Sequence, residues 1–484
     1  MIPKPTSTPT ATSTPTLNPT APQPLAARAT GTRTSSPWIG FSAIAVGTFM
    51  STLDGSIVNV ALPSIRAGFG ASVSGVAWIV TAYLLAVSAT LLAAGRLGDI
   101  LGHRRVYTGG MLLFTLASGL CGLAGSLPLL VAARALQAMG AAAMMATSLA
   151  AVTAIFPPQQ RGRALGGIAS VVAAGLTAGP PIGGLLVAHL SWRAIFYVNL
   201  PVGVAGAIWA SRSLPGGSEA PGARFDGGGA LWLALALAAG IGAVDLAPQI
   251  HSGSLGFLAV AAAAAVLLWR RERAAPSPLL DASLFRDRAF SWGLAAGLLS
   301  YAAMFSQTLL TPFLLSEVKG LGTGAMGAML LAVPLALSLS APLAGWLSDR
   351  FGPRWPCLAG MALLAAAEVS LALARGGDSL SSIFARLVLA GLGMGLFQPP
   401  NNSAVMGTLP RARLGSGGGM LATSRNLGMV LGVALGGALF ALGTGNGGGL
   451  GDFLAGWRLA LLAGASLAVA AGLLSLARYP AAAP

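Results

Sequence analysis

Charge is scarce in this chain. Only 8% of its 484 residues are Asp, Glu, Lys or Arg, against about 25% in a soluble domain. A fold this poor in charge cannot cover its surface with polar groups, which excludes an ordinary water-soluble protein. Lysine is almost missing, with Lys4 and Lys319 alone. Neither stands in a G-x-x-x-x-G-K loop, so a P-loop ATPase on this chain is excluded. Cysteine is limited to Cys121 and Cys357, both inside apolar runs. They read as small membrane-facing hydrophobes, with no disulfide framework and no metal cluster. The three histidines, His103, His189 and His251, lack zinc spacing. No metal and no cofactor is expected. No nucleophile–base set is visible either, which argues against an enzyme.

What the chain does have is apolar length. Hydrophobic residues make up 55% of it, with 67 glycines and a mean hydropathy of +0.76. Glycine at this level suits close helix packing in lipid. Residues 1–37 differ: they are rich in Thr, Pro, Ser and Ala. They lack an apolar h-region, so they read as a disordered cytoplasmic tail and not as a signal peptide. Beyond them, apolar runs occupy roughly 38–62, 75–94, 106–125, 128–153, 164–188, 194–211, 228–246, 254–270, 289–315, 324–346, 355–374, 379–400, 415–442 and 455–477. Each approaches the ~20 residues that span a bilayer. The expectation is an all-α membrane protein of about fourteen helices.

The net charge of +15 is explained by topology. Most basic residues fall in segments on the side of the N-terminus. Arg66, Arg193, Lys319, Arg375 and Arg458 fall on the other side, and Arg134, Arg386 and Arg425 lie within helices. Such a bias places both termini in the cytoplasm. No nucleic-acid partner is implied.

The chain also repeats itself. Gly95-Arg-Leu-Gly-Asp-Ile-Leu-Gly-His-Arg104 recurs as Gly345-Trp-Leu-Ser-Asp-Arg-Phe-Gly-Pro-Arg354, 250 residues later. Arg161 and Arg163 recur as Arg411 and Arg413 at the same offset, and Arg134 maps close to Arg386. Trp192-Arg193 recurs as Trp457-Arg458. Two pseudo-symmetric six-helix halves, 38–211 and 289–478, therefore flank an inserted helix pair with its linkers, 212–288. Parallel repeats of this kind place a substrate site between the halves.

These motifs resemble the major facilitator superfamily, in its fourteen-helix drug:proton antiporter branch of the EmrB/QacA type. The resemblance covers nearly everything after the tail. The loop after helix 2 is similar to the superfamily's G-x-L-x-D-x-x-G-x-R signature. It implies gating roles for Gly95, Asp99, Gly102 and Arg104, and for Gly345, Asp349, Arg350 and Gly352 in the second copy. Ile100 stands where an arginine is usual. Asp99 is expected to cap a helix and pair with arginines in a state-dependent latch. Helix 5 carries Gly175-Leu-Thr-Ala-Gly-Pro-Pro-Ile-Gly-Gly184, which resembles the G-x-x-x-G-P-x-x-G-G antiporter motif. Gly175, Gly179, Gly183 and Gly184 strip one face, so that the other half can approach, and Pro180 and Pro181 bend the helix.

Helix 1 carries Leu53-Asp-Gly-Ser-Ile-Val-Asn-Val-Ala-Leu-Pro63, similar to L-D-x-T-x-V-N-x-A-L-P with Ser56 in the threonine position. Asp54 is the one acid well inside a helix of the N-terminal half. A carboxylate there is costly and functional by default. It is the candidate proton carrier, and when ionised it could attract a cationic substrate. Helix 4 carries Arg134-Ala-Leu-Gln-Ala-Met-Gly140, similar to R-x-x-Q-G-x-G with Ala138 for the first glycine. Arg134 is the expected partner of that acid. Trp78, Tyr83, Gln137, Tyr301, Gln307, Phe397 and Gln398 are candidates to line the cavity. Glu368 reads either as a second proton site or as half of an interhelical pair. Asn199, in a family marker opening helix 6, is given a structural role.

The function implied is proton-coupled antiport, exporting small amphipathic or drug-like compounds by alternating access. The expected partners are substrate, protons and the bilayer, with the monomer as the working unit in the bacterial inner membrane. Symport of a small nutrient and a non-transporting membrane receptor are the competing readings.

Overall fold

The computed structural model describes residues 36–216, 252–274, 282–410, 414–445 and 449–478, with scattered positions between 228 and 243. The proposed tail, most of the seventh apolar run, and Arg411 and Arg413 lie outside the described residues. The described chain is helical: α1 (Pro37–Phe69), α2 (Val73–Leu101), α3 (His103–Leu123), α4 (Leu127–Ile155), α5 (Pro158–His189), α6 (Ala194–Ser213), α7 (Ser252–Ala274), α8 (Arg288–Val318), α9 (Thr323–Phe351), α10 (Arg354–Ala372), α11 (Leu380–Gly407), α12 (Leu414–Thr444) and α13 (Leu450–Arg478). Twelve of these, all but α7, count among the described residues as long and apolar enough to cross a membrane. This is a multi-pass membrane protein. α7 follows the eighth apolar run.

Continuous apolar runs become helices here because lipid offers the backbone no other hydrogen-bond partner. The joints are chemically specific. Gly102 (φ 87°) separates α2 from α3, and Gly352 (φ 77°) separates α9 from α10. Both lie in the left-handed region, where glycine alone is unstrained. The two are 250 residues apart, so the sequence repeat is also a backbone repeat. Ser72 caps α2 through its Oγ on Gly75 N at 3.0 Å. Asp287 caps α8 on Ala289 N at 2.8 Å.

The packing repeats as well. In the first half α3 lies on α4, α2 on α4, α1 on α5 and α3 on α6. In the second half α10 lies on α11, α9 on α11, α8 on α12 and α10 on α13. Between the halves α2 packs on α12 and α5 on α9. One large core joins both halves at the end that holds the α1–α2 turn: Ile57, Leu62 and Ile65 meet Leu310, Phe313, Met326 and Phe440. Arg66 and Glu317 pair across the halves at the same end. Toward the opposite end the cores are separate, one around Tyr107, Met111 and Phe114 and one around Met361, Leu364 and Phe397. The halves are thus sealed together at the arginine-poor end.

Lys319 also belongs to that end, donating to the carbonyls of Gly376 at 2.8 Å and Asp378 at 2.5 Å. On the positive-inside expectation this end faces outward. Single cysteines replacing Arg66, Lys319 or Arg375 are expected to react with an impermeant maleimide from outside. Those replacing Arg104 or Arg286 should react only after the membrane is opened. Labelling at 286 from outside would sink this topology.

Candidate functional site: a buried carboxylate–guanidinium cluster

Asp54 sits midway along α1 and is 1% exposed. Its Oδ2 accepts from Arg134 of α4 at 2.5 Å. Its Oδ1 accepts from Gln137 Nε2 at 3.0 Å and from Asn199 Nδ2 of α6 at 2.9 Å. Ser118 of α3 accepts from both amides, at 3.1 and 3.0 Å, and donates to Phe196 O at 2.9 Å. Arg134 also donates to Gln137 Oε1 at 2.7 Å and stacks its guanidinium 4.1 Å above the Tyr83 ring. Side chains of α1, α3, α4 and α6 thus form one network around the carboxylate, and each side chain bonded to it donates. Within this cluster, Arg134 Nε is buried without a partner among the described residues.

The helix spacing explains the convergence. Arg134 and Gln137 are i,i+3 on α4 and share a face. Tyr83 supplies an aromatic face for a cation withdrawn from water. Asp54, Arg134, Gln137 and Tyr83 are brought together as expected. Asn199 is an addition: the residue read as structural donates directly to Asp54. Ser118 is another, and no sequence motif marked it. Cys121 is buried beside Gln137 Oε1 at 3.6 Å and does not face lipid. Cys357 is buried too.

The other candidates lie elsewhere. Trp78 packs in the α2–α12 seam against Val430 and Ala434. In the second half Tyr301 and Phe397 belong to one core. Gln307 is 1% exposed with its Oε1 unpartnered among the described residues, and Gln398 is half-buried. Glu368 of α10 is 0% exposed, and neither carboxyl oxygen has a partner among the described residues. The interhelical pair, one of the two readings of Glu368, is therefore not formed among the described residues. Glu368 stands 250 residues after Ser118. It lies beside Gly464, which the Trp192–Trp457 offset of 265 equates with Asn199. The second half thus has a carboxyl where the first has the Ser118–Asn199 contact. Arg386, near the repeat position of Arg134, instead pairs with Asp378 at 2.8 Å.

Two expectations about the motifs need correcting. Asp99 does not cap α3, whose N-cap position is Gly102, with no side-chain bond. It lies exposed in the last turn of α2, 3.9 Å from both Arg96 and His103. In the second copy Arg350 lies over Trp346 and Phe351. The glycine stripe of α5 also has a different neighbour from the one expected. A Cβ on Gly175 would meet Thr52 at 3.0 Å, one on Gly179 would meet Ser56 at 2.5 Å, and one on Gly183 would meet Ile57 at 2.6 Å. These three glycines admit α1 of the same half. Gly184 alone faces the other half, where its Cβ would lie 2.6 Å from Thr323 O of α9.

The α1–α5 contact explains Ser56. Its hydroxyl donates to Leu176 O at 2.9 Å. Position 176 is four residues before Pro180, which has no N–H to give. Ser56 therefore satisfies a carbonyl that the proline frees within the membrane. Removing it should cost about 1–3 kcal/mol, the penalty of an orphaned buried acceptor. Ser56→Ala is expected to lower the melting temperature in detergent, and Ser56→Thr to leave it unchanged. Equal melting of Ser56→Ala and parent would dismiss this role.

Comparison with known proteins agrees with this architecture. The sequence profile of the Major Facilitator Superfamily matches residues 44–433 and 327–484. The chain belongs to that superfamily. It is 36% identical over 406 residues to the riboflavin transporter RibZ of Clostridioides difficile, covering 84% of this chain and 88% of the relative. It is 35% identical over 404 residues to the multidrug resistance protein Stp of Mycobacterium tuberculosis, covering 82% and 75%. It is 34% identical over 411 residues to the tetracenomycin C resistance and export protein of Streptomyces glaucescens, covering 84% and 76%. The fold matches the solved nucleoside transporter NupG with a TM-score of 0.67 at 12% identity, covering 91% of this chain and 100% of the other. The protein is a major facilitator transporter and not an enzyme.

Proposed function

We propose that this transporter is a proton-coupled antiporter that exports small amphipathic compounds across the bacterial inner membrane. Both termini are cytoplasmic in this reading, and the monomer is the working unit. The observation that carries it is the Asp54–Arg134 pair, which is buried within a network of polar side chains on α1, α3, α4 and α6. An ionised carboxylate holds Arg134 to α1. A proton arriving on Asp54 cancels that attraction and leaves a guanidinium in a low-dielectric site without its counter-ion. An unpaired buried charge costs about 3–5 kcal/mol. That cost drives α1 and α4 apart until Arg134 finds another acceptor, and a conformational step is thereby tied to one proton. Each cycle takes the proton up from outside and releases it inside, with substrate moving the other way. No ATP site or cofactor enters.

Export is favoured by the relatives named for drug resistance. A riboflavin transporter among the relatives keeps a nutrient substrate open as the second reading. Glu368 is the reserve proton site. The test uses the purified protein in vesicles with an imposed pH jump. Antiport predicts substrate efflux against its gradient, and proton release when substrate is added at constant pH. Substrate-driven proton movement in the same direction as the substrate would establish symport and overturn the proposal.

A further inference from the structure

The membrane-spanning part of the second half holds a cation that none of the roles above uses. Arg425 lies roughly 16 Å from one end of α12 and roughly 28 Å from the other, at 1.5 Å per residue. That depth is inside the hydrocarbon of a bilayer about 30 Å thick. A charge at such depth normally faces protein or a ligand path. The helix face of Arg425 can be read from its neighbours three and four residues away. Ala422 packs against the first half's core, to which Tyr83 belongs. Met429 packs on the second half's core with Tyr301 and Phe397. Arg425 therefore lies on the face of α12 at the seam between the halves.

Among the described residues no carboxylate pairs with Arg425. The Arg425 guanidinium acts on the Tyr301 hydroxyl, and its Nε has no partner among the described residues. The next residue, Asn426, is 3% exposed, and its Nδ2 donor is likewise unpartnered among them. The carboxylates of the two halves are elsewhere. Asp54 is consumed by Arg134, and Glu368 is sealed within its own half, 0% exposed beside Gly464. The seam thus offers positive charge and aromatic surface from Tyr301 and Phe305, whose rings lie 6.4 Å apart.

We infer that Arg425, with Tyr301, is the recognition site for an anionic or oxyanion-bearing aromatic substrate, so that the cargo is acidic and not cationic. A guanidinium binds a carboxylate or phenolate oxygen by its planar fork. Here it does so in a medium where charge attraction is weakly screened. The inference rests on the export reading for what happens after binding, but binding itself can be measured separately.

The probes are fluorescein, a planar aromatic anion, and rhodamine 6G, a cation of similar size, titrated by anisotropy against the protein in nanodiscs. Parent protein is expected to bind fluorescein. Arg425→Ala should raise that Kd at least about tenfold through loss of one charge-assisted contact, while rhodamine 6G binding holds or tightens. Arg425→Lys should restore part of the fluorescein affinity, because the charge remains without the fork. Tyr301→Phe keeps the ring and should leave the anion preference in place. Absence of fluorescein binding to the parent, an unchanged fluorescein Kd in Arg425→Ala, or equal weakening of both dyes would each overturn the inference. Fluorescein binding that depends on Arg425, without pH-driven efflux, would sustain the site and sink the export reading.

Discussion

Asp54→Asn is expected to abolish export driven by a pH gradient. The amide keeps the size of the acid but cannot take up or release a proton. It also changes the site it occupies. Both oxygens of Asp54 accept, one from Arg134 and the other from Gln137 and Asn199. An amide turns one of those acceptors into a donor and leaves Arg134 without a counter-ion, at a cost of roughly 3–5 kcal/mol. Lost transport could then be lost folding, so a second variant is needed. Asp54→Asn with Arg134→Gln removes both charges, and is expected to recover the melting temperature but not the transport. Glu368→Gln, in a carboxyl with no partner among the described residues, should keep gradient-driven export. The measurement is efflux after a pH jump in vesicles, with thermal melting beside it. Full export by Asp54→Asn together with loss in Glu368→Gln would move the proton site to the second half.

The parts of this site that were legible in the sequence are those whose rarity shows in one dimension. Asp54 and Arg134 stand out because charge inside an apolar run is expensive, and Gln137 follows from i,i+3 spacing to Arg134. The glycine pairs at the helix joints were legible because the motif recurs at one offset, and Gly102 and Gly352 share the left-handed backbone it requires. Ser118 and Asn199 were not. A single serine or asparagine in a helix has many uses, and only the crossing of α3, α4 and α6 shows that Asn199 meets Asp54 and that Ser118 holds the two amides that do. Arg425 was visible as a charge in a helix, but its face depends on which core each neighbour joins. The same limit applies to α5. Four-residue spacing shows that one stripe is bare without showing which helix fills it, and the stripe proved to seat α1.

That distinction separates two leucine substitutions on one helix. Gly184→Leu is expected to leave both halves folded and to part them. A Cβ there would lie 2.6 Å from Thr323 O and 3.3 Å from the α-carbons of Gly324 and Gly327. All three are backbone atoms of α9, which cannot move aside as a side chain can. The wedge acts at the arginine-poor end, where Met326 lies fully buried in the core shared by both halves. Gly179→Leu would instead press on Ser56 Cβ at 2.5 Å and on Ile57 N at 3.1 Å. It would shift α1 within its own half, break the Ser56–Leu176 bond and move Asp54 away from Arg134. Overpacking of this kind costs about 1–3 kcal/mol, occasionally more. Gly179→Leu should therefore lower the melting temperature strongly, and Gly184→Leu only slightly. A cysteine replacing Met326, with Cys121 and Cys357 changed to alanine, reports the seal. In the parent background it should be protected from an impermeant maleimide added outside. In Gly184→Leu it should react, and export should fail because the closed seal cannot form. Normal export by Gly184→Leu with the reporter still protected would show that the α5–α9 crossing does not hold the halves together.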